Sequence, residues 1–387
     1  MEFENRAGHF MNSTSGYKSF VPKKLPPDPP VQFDTELQSL LSLADRKLGR
    51  LDGVTQILPN PELFVAMYVR KEAVLSSQIE GTQASFADVL SAEYNQLDDQ
   101  RRDDIGEVSN YVNAMHYGLS ALDELPLSLR LIRNIHKQLL QGTRGSHRNP
   151  GEFRKSQNWI GPAGCTLATA TFVPPTVPDM KEALGDLENY MHQEDDTPAL
   201  IKIALIHAQF ESIHPFLDGN GRMGRLLITF WLCQQNILSQ PLLYLSYYFK
   251  QNRTEYYDRL MAVRTKGDWE GWVKFFLRGI AEVADQATSS AKAILGLKNT
   301  YVDRFHQMEG NNGHYLRLLD ALFEQPFVTR ADVMELLSVS NPTAGSMIAT
   351  FCDMGILLDI SPERSRNKLY TFIDYIRILN EGTELKQ

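Results

Sequence analysis

The stretch HPFLDGNGRMGR, residues 214–225, combines a histidine, an aspartate, three glycines, an asparagine and two arginines within twelve positions. It is too polar and too rich in glycine to lie in a hydrophobic core. The segments before and after it, IKIALIHAQFESI and RLLITFWL, repeat apolar residues at helical spacing. The sequence therefore predicts a polar loop that joins two helices and opens the second one.

The glycines of this stretch satisfy the G-x-G-x-x-G pattern of dinucleotide-binding folds. That pattern indicates a dinucleotide site only after a strand and with an acidic residue about 20 positions later. Here the preceding segment has helical spacing, and no Asp or Glu follows the glycine at 219 until Glu255. No P-loop motif occurs in the sequence, and the spacing of His207 and His214 disfavours a zinc site.

The same stretch suits an anion cradle at the start of a helix. Backbone N–H groups of Gly219, Asn220 and Gly221 can turn inward, toward the positive end of the following helix. Arg222 and Arg225 are three positions apart, so both project from one side of the first helical turn. Because guanidinium groups bind phosphoryl oxygens in bidentate geometry, the stretch predicts a polyphosphate site.

Two further side chains of the stretch add chemistry. Asp218 is a hard oxygen ligand, placed where a Mg²⁺ ion that bridges phosphates would lie. His214 is the one side chain of the stretch that can accept a proton near neutral pH. Together with the cradle, they predict attack of a hydroxyl on a nucleotide phosphate, in which His214 removes the proton while metal and arginines stabilise charge.

The composition of the whole chain is typical of a soluble globular protein. Its 387 residues are 43% apolar and 22% charged, which allows two or three domains. A net charge of −8 argues against nucleic acid binding along the whole surface. The three cysteines lack metal or redox spacing, and neither a secretory signal nor a membrane-spanning run is found. We therefore expect a cytoplasmic protein with reduced thiols.

Most of the chain after Thr35 repeats apolar residues at helical spacing, which predicts a mainly α-helical body. Residues 1–35 are polar and then proline-rich, and we expect either an extended surface arm or a flexible tail. Between Phe153 and Pro175, β-branched and aromatic residues surround a Gly-Pro-Ala-Gly turn. This segment predicts a small β-hairpin.

The sequence changes character near residue 310, where MEGNNGH interrupts the helical pattern. Three short helices and a two-stranded wing are expected beyond it, in the order of a winged helix-turn-helix domain. Five Lys or Arg and seven Asp or Glu lie between positions 321 and 380, with Arg364, Arg366 and Lys368 together in the wing. On this charge balance, contact with DNA and docking or dimerisation of proteins both stay open.

Residues 214–225 closely resemble the signature of the Fic family, H-x-F-x-[DE]-G-N-G-R-x-x-R. All eight fixed positions are present, namely His214, Phe216, Asp218, Gly219, Asn220, Gly221, Arg222 and Arg225. The resemblance covers about residues 60–285. It implies a mainly α fold, a Fic-type helical bundle with a small β-hairpin flap, followed here by the winged helix-turn-helix domain.

The resemblance implies transfer of AMP from ATP to a Tyr, Thr or Ser hydroxyl of a protein, with the chain itself among the candidate targets. In similar proteins the histidine is the base, the acidic residue binds Mg²⁺ and the Gly-Asn-Gly segment holds phosphates. These roles fall here on His214, Asp218 and residues 219–221.

The resemblance also assigns the two sides of the site. The hairpin at residues 158–173 looks like the family's flap, which aligns the target side chain by strand-like pairing. Residues 245–260 occupy the place from which similar proteins cover the adenine. Tyr248, Asn252 and Tyr256 are spaced four apart and would share a helical face there, although a packed aromatic stripe is a competing interpretation.

A second stretch, SSQIEGT at residues 76–82, resembles the family's inhibitory motif [ST]-x-x-x-E-[GN], with Ser76, Glu80 and Gly81 in the fixed places. Glu80 is expected in the last turn of a helix that Gly81 ends, where unpaired carbonyl groups make the potential negative. A carboxylate there needs a cation, and the resemblance supplies Arg225. We expect self-inhibition by this ion pair; a solvated acid at a helix end is the alternative.

These interpretations divide the chain into an N-terminal arm with the first helix (1–60), a catalytic domain (61–285) with an inhibitory helix near 61–81, a linker helix (286–312) and a winged-helix domain (313–387). Expected partners are ATP with Mg²⁺, a protein target and a second copy of the chain in a homodimer; DNA stays open, and no membrane is expected. Two other functions also stay open, which are removal of AMP by the same fold and nucleotide sensing by a DNA-binding regulator.

Overall fold

The computed structural model describes residues 4–13, 16–56, 61–91, 99–142, 145–308 and 312–380. Within these ranges the chain is mainly α-helical, as the sequence predicts, with two small antiparallel sheets. The helices are α1 (Thr35–Gln56), α2 (Pro61–Ile79), α3 (Phe86–Ser91), α4 (Asp99–Leu122), α5 (Leu129–Leu139), α6 (Val177–His192), α7 (Ala199–Ile213), α8 (Asn220–Gln234), α9 (Ser246–Gln251), α10 (Arg253–Lys266), α11 (Trp269–His306), α12 (Gly313–Glu324), α13 (Arg330–Leu337), α14 (Asn341–Asp353) and α15 (Ile373–Asn380). The strands are β1 (Glu4–Asn5), β2 (Gly8–Asn12), β3 (Lys18–Pro22), β4 (Phe327–Thr329), β5 (Leu357–Asp359) and β6 (Leu369–Phe372).

Helices α7 and α8 form the centre of the core. In α7 every residue from Leu200 to Ile213 is buried, and nearly all of α8 is buried as well. A helix that is apolar on all sides must be surrounded by others, and here α6, α10 and α11 pack against α7 while α2, α4 and α5 pack against α8. The polar loop at residues 214–219 is therefore anchored at both ends by buried helices.

Helix α11 runs without interruption for 38 residues, and α1 packs along it. Near its start the Trp272 ring stacks on His207 of α7, and near its end Phe305 contacts Phe351 of α14. The predicted boundary between catalytic domain and linker, at residues 285 and 286, therefore lies inside one continuous helix. The proposed division into domains stays a prediction.

The expectation of an extended arm or a flexible tail is wrong for residues 4–13 and 16–22, whereas the proline-rich residues 23–34 form neither helix nor strand. Instead of an extended arm or a flexible tail, strands β1, β2 and β3 form an antiparallel sheet, in which Phe10 pairs with Phe20. The Phe20 ring is buried, and its backbone N–H donates to the Val173 carbonyl at 2.9 Å. At Gly8 a Cβ would lie 2.3 Å from the Val21 carbonyl oxygen, so a glycine is needed for this pairing. Strands of two to five residues are too short to leave a clear alternating pattern in a sequence.

The predicted β-hairpin between Phe153 and Pro175 is also largely irregular. Its single ladder contact joins Ile160 and Phe172, both of which lie in the described range 145–308. Turns and bends occupy most of the segment between them, where glycines and a proline interrupt regular pairing. The segment folds back on itself as predicted, but without two regular strands.

The sequence pattern did not indicate helices α3 and α4. Helix α4 begins with the charged run DQRRDD, which hides its apolar positions. Those positions, Val108, Tyr111 and Met115, are spaced three and four apart and buried against neighbouring helices.

The C-terminal segment folds as α12, β4, α13, α14, β5 and β6, followed by α15. Its three strands form an antiparallel sheet in the order β4-β6-β5. The three expected helices and the two-stranded wing are present, and strand β4 and helix α15 were not expected. Assignment of this segment as a winged-helix domain stays a prediction.

Parts of the predicted domains lie outside the described residues, which leave out 1–3, 14–15, 57–60, 92–98, 143–144, 309–311 and 381–387. Among the helices that are described, none combines the length and the apolar character needed to cross a membrane.

The packing of α4 on α8 generates a stability prediction. A Cβ at Gly118 would lie 2.3 Å from the Phe230 ring, so Gly118→Ala should lower the free energy of unfolding by about 1–3 kcal/mol through overpacking. The matched control is Gly49→Ala in α1, where nothing lies within 4 Å and the better helix propensity of alanine should stabilise by up to about 1 kcal/mol. Denaturant unfolding of both variants checks the prediction, which is contradicted if the two changes have the same sign.

Candidate active site

The loop between α7 and α8 begins with a strained residue. His214 ends α7 in the left-handed conformation, with φ 49° and ψ 61°. Its carbonyl accepts hydrogen bonds from Arg154 Nε and Asn158 Nδ2, both at 3.1 Å. A non-glycine residue stays in this conformation only when its surroundings hold it there. Asn158, at the start of the predicted flap, and Arg154, just before the flap, therefore hold the histidine in place.

The middle of the loop is held by its own side chains. Asn220 Oδ1 accepts from the backbone N–H of Phe216 at 2.8 Å, and Asn220 Nδ2 donates back to the Phe216 carbonyl at 2.9 Å. Gly219 has φ 77°, a conformation that favours glycine, and directly precedes α8. The Asn220 side chain thus fixes the loop, and its backbone N–H stays at the first turn of α8, where the anion cradle was predicted.

His136 of α5 braces the same loop, and the sequence pattern did not indicate it. Its ring stacks on Phe216 with centroids 3.6 Å apart. Its Nδ1 accepts the N–H of Gly151 at 2.9 Å, so Nε2 carries the proton and donates to the Asp218 carbonyl at 2.9 Å. Burial lowers the pKa of His136 to about 4, which keeps the ring neutral at physiological pH.

Arg225 is the most enclosed charge of the site. Its side chain is 2% exposed, and its Nε donates to Ser76 Oγ at 2.7 Å. Its Nη2 donates to the Ser76 carbonyl at 3.0 Å and to Glu80 Oε1 at 2.7 Å. Burial works against ionisation of Glu80, but Arg225 and Arg222 together hold the pKa of its carboxyl below the usual range. The ion pair expected from the sequence is therefore present.

Gly81 completes this contact. Helix α2 ends at Ile79, and Gly81 follows Glu80 with φ 105°, which a side chain would strain. Ser76, Glu80 and Gly81 are thus brought together with Arg225 at the end of α2. Whether the contact inhibits a reaction stays a prediction.

Arg222 precedes Arg225 by three positions in α8 and is also nearly buried. Its guanidinium is 3.6 Å from Glu107 Oε2 of α4 and 3.7 Å from Asp218 Oδ1. Its Nε and Nη1 are buried and have no hydrogen-bond partner among the described residues. Such groups are costly unless an acceptor joins them, so they suit an anionic ligand. Glu107 was not indicated by the sequence because its role depends on long-range packing.

Asp218 is the predicted metal ligand, and its carboxylate is 43% exposed. Its Oδ1 accepts the N–H of Gly219 at 2.6 Å, which orients the group. The described residues contain no cluster of three His, Cys, Asp or Glu that could hold a metal ion. One carboxylate fits Mg²⁺ when phosphate oxygens complete the coordination, and this is how Mg²⁺ is usually held in nucleotide sites.

The three residues predicted on the adenine side do not share one helical face. Helix α9 ends at Gln251 and α10 begins at Arg253, so Asn252 lies at the break between them. Tyr256 is buried, and its hydroxyl is 2.9 Å from His207 Nε2. Tyr248 packs its ring against Phe275. The shared face was wrong because the periodic pattern hid a helix break, and an adenine-binding role for these residues stays a prediction.

His207 itself is a packed residue of the core, in agreement with the sequence-based preference over a zinc ligand. Its Nδ1 lies 2.9 Å from the Gly224 carbonyl, and its ring stacks on Trp272. Burial lowers its pKa to about 3.

Two family models match this chain. The model described as Fic/DOC family N-terminal matches residues 38–120, and the model described as Fic/DOC family matches residues 126–232. The chain belongs to the Fic/DOC family. The second match contains the whole loop at 214–225, and the first contains Ser76, Glu80 and Gly81.

Proteins named protein adenylyltransferase Fic are similar to this chain. The one from Drosophila grimshawi is 28% identical over 216 residues, which are 54% of this chain and 40% of the relative. The one from Drosophila melanogaster is 26% identical over 260 residues, which are 63% of this chain and 48% of the relative. The chain thus spans less than half the length of these relatives.

A solved structure of a Fic family protein from Desulfovibrio desulfuricans G20 has the same fold. It aligns with a TM-score of 0.56 and 19% identity, and covers 89% of this chain and 97% of its own. At this identity, the likeness concerns the fold alone.

Burial of His136 predicts a pH dependence of stability. The pKa is about 4 in the folded chain and 6.5 in water, so the unfolded chain binds a proton between these values and the folded chain does not. Stability is therefore lost as pH falls from 6.5 to 4, by about 1 kcal/mol per pH unit from this residue. His136→Gln should flatten that slope in denaturant unfolding series. His192→Gln, at an exposed position, is the control, and an equal slope in wild type and His136→Gln contradicts the prediction.

Proposed function

We propose that this chain is a protein adenylyltransferase that transfers AMP from ATP to a Tyr, Thr or Ser hydroxyl of a protein. The observation that carries the proposal is the loop at residues 214–219, because it holds a partly exposed histidine beside two buried guanidiniums at the start of α8. The names of the curated relatives support the same activity.

In this proposal the phosphates of ATP lie at the first turn of α8. Backbone N–H groups of residues 220 and 221 and the Arg222 nitrogens that lack a hydrogen bond within the described part of the chain bind phosphate oxygens, whereas the N–H of Gly219 donates to Asp218. Asp218 would hold a Mg²⁺ ion together with the phosphates, and bound Mg²⁺ supplies neutralisation of their charge. These groups fix the nucleotide and leave its α-phosphate open on the side of His214.

The reaction itself needs a base. The oxygen of the target hydroxyl attacks the α-phosphorus while the bond to pyrophosphate breaks, and His214 takes the hydroxyl proton. The His214 side chain is 18% exposed, so it reaches the pocket while its backbone is locked by Arg154 and Asn158. Burial lowers its pKa to about 3, with Arg264 adding to this effect, so the ring is neutral and can accept a proton.

Glu80 restrains the reaction in this proposal. Its carboxylate accepts the hydrogen bond from Arg225 Nη2, which would otherwise donate to a terminal phosphate of ATP. A Cβ at Gly221 would lie 2.2 Å from Glu80 Oε1, so the carboxylate lies directly against the phosphate cradle. Nucleotide that binds beside it cannot use Arg225 and takes a non-productive pose.

Label transfer from ATP carrying a radioactive α-phosphate tests both parts. Glu80→Gly should raise labelling of protein by at least about tenfold over wild type, because it frees a buried guanidinium for phosphate. The double variant His214→Ala/Glu80→Gly should lose the signal. Glu62→Gly, which removes an exposed carboxylate at the opposite end of α2, is the matched control and should behave as wild type.

Absence of label with every variant, on the chain itself or on proteins of a cell lysate, would contradict AMP transfer. A pre-modified target, assayed for released AMP, distinguishes the enzyme that removes AMP, in which the Glu80 carboxylate would be required. The three cysteines are unpaired, which supports a cytoplasmic location as part of the proposal. The expected homodimer stays a prediction.

We propose a second function for residues 313–380, which is contact with the backbone of duplex DNA. The order of helices and strands supports a winged-helix fold, and a groove of about 330 Å³ is lined by Arg330, Arg366 and Lys368. Uncharged donors from Asn341 and Tyr370 line the same groove. Lys368 is partly neutralised by Asp359 at 2.6 Å, so the arginines carry most of the free positive charge.

Salt-dependent binding checks this second proposal. Arg366→Ala should weaken binding of a mixed-sequence duplex and lower the slope of log affinity against log salt by about 1, since one phosphate contact is lost. Lys292→Ala, at an exposed position of α11 away from the groove, is the control. Equal affinities for wild type and Arg366→Ala would argue for a protein-docking module.

A further inference from the structure

The carboxylate of Glu211 lies near the ring of the proposed base, His214. Glu211 lies in the last turn of α7, and its side chain is 8% exposed. Its Oε1 has no hydrogen-bond partner among the described residues, and the same holds for Nδ1 of His214. Glu211 Oε2 and His214 Nδ1 are 4.0 Å apart. A carboxylate oxygen and a ring N–H are complementary, so a small approach of the Glu211 carboxylate would give His214 Nδ1 the acceptor that it lacks in the described part of the chain.

The structure makes room for this carboxylate. A Cβ at Gly224 would lie 2.5 Å from Glu211 Oε1, so the glycine in the first turns of α8 leaves space for it. A buried carboxylate oxygen without a hydrogen-bond partner costs free energy. The Glu211 carboxylate is therefore kept next to His214 although an apolar side chain would be more stable at this position.

The charges that face the pair come from several helices. Burial raises the pKa of Glu211 to about 7, Arg225 and Arg264 oppose this rise, and Glu80 adds to it. Tyr256 also faces Glu211. When Glu80 leaves Arg225, the carboxyl of Glu211 therefore becomes easier to ionise. A neutral histidine with a pKa near 3 is a weak proton acceptor, and an ionised neighbour would strengthen it.

We propose that Glu211 is a positioning residue, whose carboxylate accepts the Nδ1–H of His214 and so presents the Nε2 lone pair to the target hydroxyl. The carboxylate also stabilises the imidazolium that forms when Nε2 takes the proton. The proposal rests on the proposed AMP transfer for its catalytic consequence, but the contact itself can be measured without any reaction.

One alternative group lies close by. The backbone carbonyl of Glu211 also faces the His214 ring, although it already accepts Arg264 Nη2 at 3.0 Å. Glu211→Gln separates the two, because it keeps the carbonyl and the side-chain volume and removes the charge. Glu188→Gln is the matched control, since Glu188 caps α5 by accepting the N–H of Leu129, away from the loop.

The kinetic experiment uses the full chain with Glu80→Gly as parent. Adding Glu211→Gln should lower kcat for label transfer by about tenfold to a hundredfold, with KM for ATP unchanged, because the base is weakened and the phosphate cradle is not touched. The acid limb of the pH profile should move to lower pH, because loss of a carboxylate lowers the pKa of the neighbouring histidine. Glu211→Asp should restore part of the rate, and adding Glu188→Gln to the same parent should change neither kcat nor the profile.

The independent experiment follows the His214 ring by NMR of protein with ¹⁵N-labelled histidine. The His214 signal is assigned by its loss in His214→Ala. In the Glu80→Gly parent the ring should carry its proton on Nδ1, and Glu211→Gln should lower the pKa of His214 by about 1 and shift the tautomer toward Nε2–H.

An unchanged ring signal in Glu211→Gln overturns the proposal, and so does an unchanged kcat and profile. If Glu211→Gln does not fold, Glu211→Ala serves in both experiments, and an unchanged ring signal in that variant overturns the proposal as well. If the parent shows no label transfer but the ring signals change as expected, the contact stands and AMP transfer fails.

Discussion

The buried guanidinium of Arg225 is the interaction on which the site depends. It lies at the start of α8, in a position where water cannot solvate it, and it reaches across to α2. A buried cation is tolerated only when hydrogen bonds and an anion surround it. Ser76 supplies two hydrogen-bond acceptors, and Glu80 supplies the negative charge. These contacts with the Arg225 guanidinium hold the end of α2 against the first turns of α8.

This requirement explains why the two motifs, far apart in sequence, belong to one site. The Glu80 side chain is 37% exposed, whereas that of Arg225 is 2% exposed, so the acid can leave toward solvent and the arginine cannot. Any anion that replaces the carboxylate must come to Arg225. The polyphosphate of a nucleotide has the right charge for this exchange, and the neighbouring Arg222 already has unpartnered donors.

Local sequence patterns predicted much of the fold and most residues of the candidate site. The helices on either side of the loop follow from apolar spacing, and the loop residues follow from a short dense motif. The N-terminal sheet was not predicted because its strands are too short to show an alternating pattern, and because its hydrogen bond from Phe20 to Val173 joins positions more than a hundred residues apart. His136, Glu107 and Glu211 were not indicated for the same reason, since each is an ordinary helical residue in sequence and gains its importance only when another helix is packed beside it.

The unbroken helix α11 has a mechanical consequence. At about 1.5 Å per residue its 38 residues span about 57 Å, and its end is tied to the C-terminal segment by a hydrogen bond from the Tyr301 hydroxyl to Asp374. The C-terminal segment is thereby held at a set distance and orientation from the loop at residues 214–219, and a ligand bound to it would share that geometry. One residue inserted into α11 would turn everything beyond it by about 100°. Helix α11 therefore sets both the distance and the relative rotation between the C-terminal segment and the loop at residues 214–219.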